Sequence, residues 1–362
     1  MPVGPTLRKP KPLLDSDAYT IGIVCALADE AVAVQSSFDH FFLDKKACPK
    51  IARGDGNSYS FGTICDYHVV LAQLADMGDV EAKEVAKDMQ RSFQNIKLCL
   101  VVGICGIIPE IDGKEAMLGD VVISREVIQY TRGKDYPSGF VSKNMLRGAS
   151  DTVLRGFERL CTPEPWEYFC VKVNENLSTL MEHKSIKTRG FKYPGRETDF
   201  LYESRYVHQH RNQGCEACDA LDYCKKAVKA PCHDLDCSDE KLVPRERLLT
   251  ERSHSSGSSS PQIYLGNVAS GNRVMKNGVM RDEVAQKQNV IAFEMEGAGV
   301  WSTFPTIVIR AGCDYADSHK NKKWQEWAAM TAASCAKAFL GQLQMGISEN
   351  LEYSTEDGGE LV

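Results

Sequence analysis

Apolar residues along this chain follow two rhythms. The first is a short, unbroken apolar run closed by glycine or by an acid. It recurs in "YTIGIVCAL" (19–27), "IKLCLVVGICG" (96–106), "LGDVVIS" (118–124), "IYLGNVASG" (263–271), "NVIAFEME" (289–296) and "TIVIRAGCDYAD" (306–317). Continuous hydrophobicity, without alternation, predicts strands buried on both faces. "SYSFGTICDYHVVLAQL" (58–74) predicts two more strands joined by a turn. The second rhythm has helical spacing. It covers "ADEAVAVQSSF" (28–38), "DVEAKEVAKDMQRSF" (79–93) with Asp79 as N-cap, and the alanine-rich "NKKWQEWAAMTAASCAKAFLGQLQ" (321–344). Buried strands alternating with helices predict an α/β domain whose sheet is mostly parallel and covered by helices on both faces.

One stretch breaks both rhythms. From about residue 191 to 262 there is no sustained periodicity, five cysteines occur, and the segment closes in the low-complexity "SHSSGSSSP". It reads as an irregular insertion into one domain spanning 19–345. Residues 1–18 read as a flexible tail, and the acidic 346–362 as a disordered one.

Composition narrows the class. The 362 residues are 43% hydrophobic and carry a net charge of −6, so a large core is affordable and no basic field points to nucleic acid. The expectation is a cytoplasmic protein. "MPVGPTLRKPKPLLD" lacks the apolar core of a secretory signal, and no apolar run is long enough to span a membrane. Fourteen cysteines fit buried free thiols better than a disulfide framework in that compartment.

Polar clusters close four of the elements: Glu30 after the first strand, Gly103 and Gly106 in "LVVGICG", Glu294 and Glu296 in "FEME", and Asp314 and Asp317 in "CDYAD". Ligands of open α/β sheets bind at the carboxyl ends of strands. A single carboxylate there is more often a helix cap or a turn residue. Four such clusters in one chain are harder to dismiss, and acidic groups gathered in one cleft are what acid/base chemistry needs. In extended backbone Glu294 and Glu296 face one side and Met295 the other.

In their order along the chain, "IGIVCALADE", "VVGICGIIPE…LGDVVIS", "VASGNRVMK", "FEMEGAG" and "RAGCDYADSHKNKKW" resemble the nucleoside phosphorylase superfamily. The likeness is to the fungal purine/uridine phosphorylase-type branch and to the methylthioadenosine/S-adenosylhomocysteine nucleosidases, over about 19–185 and 262–344. It implies a single α/β domain with a central mixed sheet, partly closed into a barrel and flanked by helices. It also implies roles. Glu296 takes the ribose hydroxyls, Met295 packs on the sugar, and Glu294 supports them. Asp314 protonates the purine at N7, and Glu30 activates water. Gly103 and Gly106 offer backbone amides. Asn272 to Met275 wall the base, with Val274 and Met275 where the nucleosidases stack a phenylalanine.

The expected reaction is hydrolysis of the N-glycosidic bond of a purine nucleoside or a nucleotide such as ATP. "ALADEAVAV" has none of the glycine and arginine of a phosphate-holding loop. Phosphorolysis with inorganic phosphate remains the alternative if Arg53, Arg125, Arg132, Arg281 or Arg310 folds into the site. Lys276 and Arg281 are candidates for substrate phosphates. A non-catalytic nucleoside-sensing module is a further reading, since Ile104 and Ile107 stand where smaller residues are usual. A homo-oligomer is the expected assembly.

No cofactor is required by this set. The insertion does hold metal-ligand vocabulary in His208, His210, Cys215, Cys218, Cys224, Cys232, His233 and Cys237. The spacing matches no standard finger. A structural zinc on residues such as Cys215, Cys218 and His208 is weighed against free thiols, and a zinc-dependent interaction module is the least favoured reading.

Overall fold

The computed structural model describes residues 15–42, 48–137, 139–142, 147–148, 159–211, 214–221, 224–253 and 260–351. The strands are β1 Tyr19–Cys25, β2 His40–Phe41, β3 Tyr59–Ile64, β4 Tyr67–Gln73, β5 Leu98–Ile107 and β6 Glu110–Ile111. They continue with β7 Lys114–Glu115, β8 Val121–Gln129, β9 Gly133–Tyr136, β10 Gly139–Ser142 and β11 Arg147–Gly148. The last three are β12 Ile263–Ser270, β13 Val290–Glu294 and β14 Thr306–Asp314. β6–β7 and β9–β10 are small separate hairpins. The remaining ten strands form one sheet with two parts. β5, β14, β8, β12 and β13 pair in a closed ring, because β13 returns to β5. β1, β4, β3 and β2 extend from β5 as an open wing.

The apolar runs account for the ring. Every residue of β13 and β14 is buried, as their continuous hydrophobicity demands. The sheet is not mostly parallel, however. Among the described residues β14 runs antiparallel to β8, and β13 antiparallel to β5, alongside the parallel pairs of β1, β4, β5, β12 and β14. Closing the ring requires those two antiparallel contacts, which burial patterns cannot encode. The mixed, partly barrel-closed sheet is therefore the observed architecture.

The helix Gln325–Leu351 crosses the sheet and packs on β14, β5, and the helices Ala28–Ser36 and Pro163–Glu182. Its Ala328, Ala329, Ala332, Ala333 and Ala336 are buried, and small side chains let the helix approach closely. It runs past residue 346, where an acidic tail was expected. The described residues also reach inside the expected leading tail, where Asp15 caps a 3-10 turn at Ser16–Ala18. Residues 1–14 and 352–362 lie outside the described residues. Asp79 is not an N-cap. Gly78 holds that position at φ 126°, a conformation suited to glycine, and Asp79 opens the helix Asp79–Ser92.

The described part of 191–262 contains short helical turns around a small cluster of Cys218, Cys224, Ala227 and Leu235. It is fastened to the barrel by buried polar contacts. Tyr315 Oη donates to Asp199 at 2.7 Å, Arg245 Nη1 donates to Tyr315 Oη, and Arg196 Nη1 donates to the Leu118 carbonyl at 2.6 Å; within the segment Arg245 also pairs with Asp199 at 3.0 Å.

Candidate functional site

Three acid-bearing turns and the glycine-bearing end of β5 converge on one cavity of about 350 Å³. Its wall includes Glu30, Cys105, Gly106, Phe293, Glu294, Met295, Glu296, Arg310, Asp314 and Lys320, with Arg273 to Lys276 to one side. None of the lining residues comes from 191–262, so the described insertion does not form a lid.

Arg310 organises one end. It projects from β14 and is 1% exposed. Its Nη1 donates to Glu30 at 3.1 Å, and its Nη2 donates to Glu294 at 3.1 Å and to Glu296 at 2.5 Å. Three buried carboxylates thus share one guanidinium, whose planar fork suits several partners at once. Among the described residues the Arg310 Nε has no hydrogen-bond partner. Gly103 faces Arg310 across the β5–β14 pairing. A Cβ there would collide with both the Glu30 carboxylate and the Arg310 guanidinium. Gly103 therefore makes room for the ion pair and does not line the cavity, contrary to the amide role expected of it.

Each glutamate is fixed by its own backbone partners. Glu30 accepts from the amides of Ala26, Leu27 and Ile104, each at 2.8 Å, which ties the turn after β1 to β5. Glu294 accepts from the amides of Glu296 and Gly297, both at 2.9 Å. The chain turns here into the short helix Gly297–Trp301. That turn breaks the strand alternation, and Met295 lines the cavity together with both glutamates. Glu296 accepts from the Gly78 amide at 3.1 Å. Burial pushes the Glu296 carboxyl up to about 7; Arg310 opposes the rise, while Glu294 and Glu30 add to it.

Asp314 occupies the other end. Its Oδ1 accepts from the Ala316 amide at 2.9 Å, and its Oδ2 lies 2.8 Å from Lys320 Nζ. Burial alone would lower the Lys320 pKa, but the Asp314 carboxylate outweighs it and the ammonium is held more firmly. A Cβ on Gly106 would stand 2.8 Å from Ala316 Cβ and 3.1 Å from Asp314 Oδ1, so glycine there allows this loop to close on β5. Asp317 braces the same loop by accepting from the His319 amide at 2.9 Å, and burial pushes its carboxyl up to about 6.

Several expected residues fall elsewhere. Asn272 does not line the cavity. Its Oδ1 accepts from the Asp79 amide at 2.8 Å, so it caps the helix Asp79–Ser92 from a distant loop. Of the five arginines weighed for phosphate, Arg310 alone is in the wall, and Arg53, Arg125, Arg132 and Arg281 are not. Arg281 is buried behind it, donating to the Tyr315 carbonyl at 2.8 Å. Val274 and Lys276 do border the cavity. Two residues were not anticipated. Lys320 stands six positions beyond Asp314 in the same motif, and only the loop's curl brings them together. Phe293 supplies the aromatic wall that Val274 and Met275 seemed to leave missing.

The cysteine–histidine grouping also differs from the expected one. Cys215 and Cys218 cluster with His210 and Cys224, whereas His208 joins Cys237 and His319.

No family model matches the sequence. A protein of Hyaloscypha variabilis described as a nucleotide-binding leucine-rich repeat (NLR)-like protein is 32% identical over 337 residues. These make up 91% of this chain and 30% of that protein, so the chain spans under a third of the curated relative's length. Among solved structures, the futalosine hydrolase of Helicobacter pylori is similar at 15% identity and a TM-score of 0.50, covering 90% of this chain and 98% of that one. The methylthioadenosine/S-adenosylhomocysteine nucleosidase of Colwellia psychrerythraea, in complex with adenine, reaches 0.52 at 15% identity, covering 90% and 96%. That of S. pneumoniae, with a transition-state inhibitor, reaches 0.50 at 17%, covering 90% and 99%. No helix among the described residues is long and apolar enough to cross a membrane. The barrel, its open wing and these structural likenesses together establish that the chain shares the fold of these nucleosidases and of the futalosine hydrolase.

Proposed function

We propose that the cavity hydrolyses the N-glycosidic bond of a purine nucleoside or nucleotide. The observation that carries this reading is the separation of two acidic stations along one cavity: Glu30, Glu294 and Glu296 around Arg310 at one end, and Asp314 with Lys320 at the other. Glycosidic cleavage develops positive charge on the ribose and negative charge on the departing base, so it needs unlike environments at the two ends.

In this reading Glu296 accepts hydrogen bonds from the ribose hydroxyls and offsets the charge growing on the sugar. Met295 packs on the ribose and Phe293 on the base. Glu30, held by three amides and Arg310, accepts the proton of the water that attacks C1′. Asp314, held beside the Lys320 ammonium at 2.8 Å, takes up a proton with the bound substrate and passes it to N7 as the base departs, while Lys320 offsets the negative charge growing on the base. The proton that Glu30 takes from the water returns to Asp314 through solvent. Hydrolysis is favoured over phosphorolysis because the guanidinium in the wall already faces three carboxylates, which leaves that end hostile to phosphate. The cations Arg273, Lys276 and Lys322 along the wall suit a 5′-phosphorylated substrate.

A second reading is a nucleoside-sensing module within a longer protein. It is favoured by the NLR-like relative, of which this chain matches only a part.

The test is a chromatographic assay with adenosine, inosine, guanosine, methylthioadenosine and ATP, with and without phosphate, beside Asp314→Asn. Base released without phosphate, and lost in the variant, is the expected result. Release that depends on phosphate makes the protein a phosphorylase. Binding without turnover by any of the five supports the sensing module.

A further inference from the structure

Away from the cavity, two groups of soft donors are gathered in a part of the chain with little core of its own. The first group is His210, Cys215, Cys218 and Cys224, whose donor atoms all lie within 4.8 Å of one another. His210 Nδ1 is 3.3 Å from Cys218 Sγ, and Cys215 Sγ is 3.9 Å from Cys224 Sγ. Tetrahedral zinc, with Zn–S near 2.3 Å and Zn–N near 2.0 Å, sets its ligand atoms about 3.5–3.8 Å apart. No disulfide consumes these thiols.

The second group is formed between the insertion and the loop that carries Asp314. His208 Nδ1 lies 3.5 Å from Cys237 Sγ and 3.8 Å from Cys232 Sγ. The donor atoms of His208, Cys237 and His319 again lie within 4.8 Å of one another. Two details point to a ligand here. His208 Nε2 is 3.0 Å from the Ala230 carbonyl, which keeps the proton on that nitrogen and turns the Nδ1 lone pair toward the cysteines. His319 is 6% exposed, and among the described residues neither of its ring nitrogens has a hydrogen-bond partner. Asp317, at 3.9 Å, is too far to supply one. An imidazole buried with both nitrogens unmet is costly, and a metal removes that cost. The ring is also held in place by stacking on Tyr202, with centroids 4.0 Å apart.

We propose that the chain binds two zinc-class ions. One is held by His210, Cys215, Cys218 and Cys224. The other is held by His208, Cys232 and Cys237 of the insertion together with His319 of the loop after β14. The first has four donors gathered as it stands; the second has three, and Cys232 Sγ, 3.8 Å from His208 Nδ1, moves in to complete it. Four protein donors leave no open position, which makes both structural. Their consequences differ. The first ion knits the insertion to itself, where the apolar cluster is small. The second ties the insertion to the segment Asp314–Lys320, and the His208 amide, donating to Ser318 Oγ at 3.0 Å, runs alongside it. His319 is adjacent to Lys320, so this ion is a positioning element for the Asp314–Lys320 pair.

The experiment measures metal content by mass spectrometry on the full chain, purified without metal-charged resin or chelator. Two zinc ions per chain are expected. Cys218→Ser and His319→Ala should each retain one, and the double variant none. His319→Cys should again retain two, since a thiolate also ligates zinc and a merely packed imidazole is not replaced that way. Cys170→Ser, outside both groups, should retain two. Should a variant fail to fold, the wild-type chain stripped by chelator and titrated with cobalt(II) answers the same question: two equivalents with thiolate-to-cobalt charge-transfer absorption are expected. Less than one metal per chain overturns the proposal. A full complement of two in His319→Ala removes His319 from the second site and overturns the link to the loop.

Discussion

Glu296→Gln separates what the site costs from what it does. The buried Glu296 carboxyl titrates near 7, against 4.5 for an exposed one. A carboxyl whose folded pKa is raised binds more protons in the folded chain than in the unfolded chain between those two values. Its contribution to stability is therefore present at low pH and is lost as pH rises from about 4.5 to 7. At 1.36 kcal/mol per unit, the full loss is about 3 kcal/mol by pH 8, and under about 1 kcal/mol at pH 5. Glutamine keeps the shape and an acceptor for the Gly78 amide, and it cannot ionise. Arg310 retains Glu30 and Glu294 as partners. Glu296→Gln should therefore be more stable than wild type at pH 8, with a melting temperature higher by roughly 5 °C, and nearly equal at pH 5. The proposed glycosidase activity should fall by about 10²-fold or more, as a stability–function trade-off. The assay is thermal melting by circular dichroism across pH 5–8.5, beside turnover. A variant no more stable than wild type at pH 8, or a difference that does not change with pH, would refute the reasoning.

Three further outcomes follow from the geometry. Gly103→Ala should force Glu30 and Arg310 apart, destabilising the chain by about 1–3 kcal/mol in denaturant melts and lowering turnover together with stability. Asn272→Ala should remove the cap on the helix Asp79–Ser92 and cost about 1 kcal/mol, with kcat unchanged; a large change in kcat would return Asn272 to the base site. Lys320→Met should reduce the proposed turnover without abolishing substrate binding by calorimetry, because it removes the cation paired with Asp314 and leaves the Glu30, Glu294, Glu296 and Arg310 cluster intact.

Local sequence carried much of this structure. The unbroken apolar runs located β1, β5, β8, β12, β13 and β14, because a strand buried on both faces has no room for polar alternation. The acids that close those runs named Glu30, Glu294, Glu296 and Asp314 as companions. Placing them around one cavity was within reach, since parallel strands deliver their carboxyl ends to one edge. The apolar pattern did not contain the pairing of β13 with β5, or of β14 with β8. Burial reports that a strand is covered and not which neighbour covers it.

The residues that were misjudged share a feature: each acts across a long sequence separation. Asn272 resembled a base contact because it follows a motif, yet it caps a helix that begins at Asp79. Gly103 looked like an amide donor, yet its missing side chain is what lets Glu30 reach Arg310. His208 read as a companion of Cys215 and Cys218, yet its near neighbours are Cys237 and His319. The chain alone settled which segments must be buried and which carried the chemistry, because hydrophobicity and residue type are local properties. Folding in three dimensions decided which charges share a partner and which donors meet, because at interaction ranges of 3–4 Å only the closed barrel brings residues hundreds of positions apart into contact.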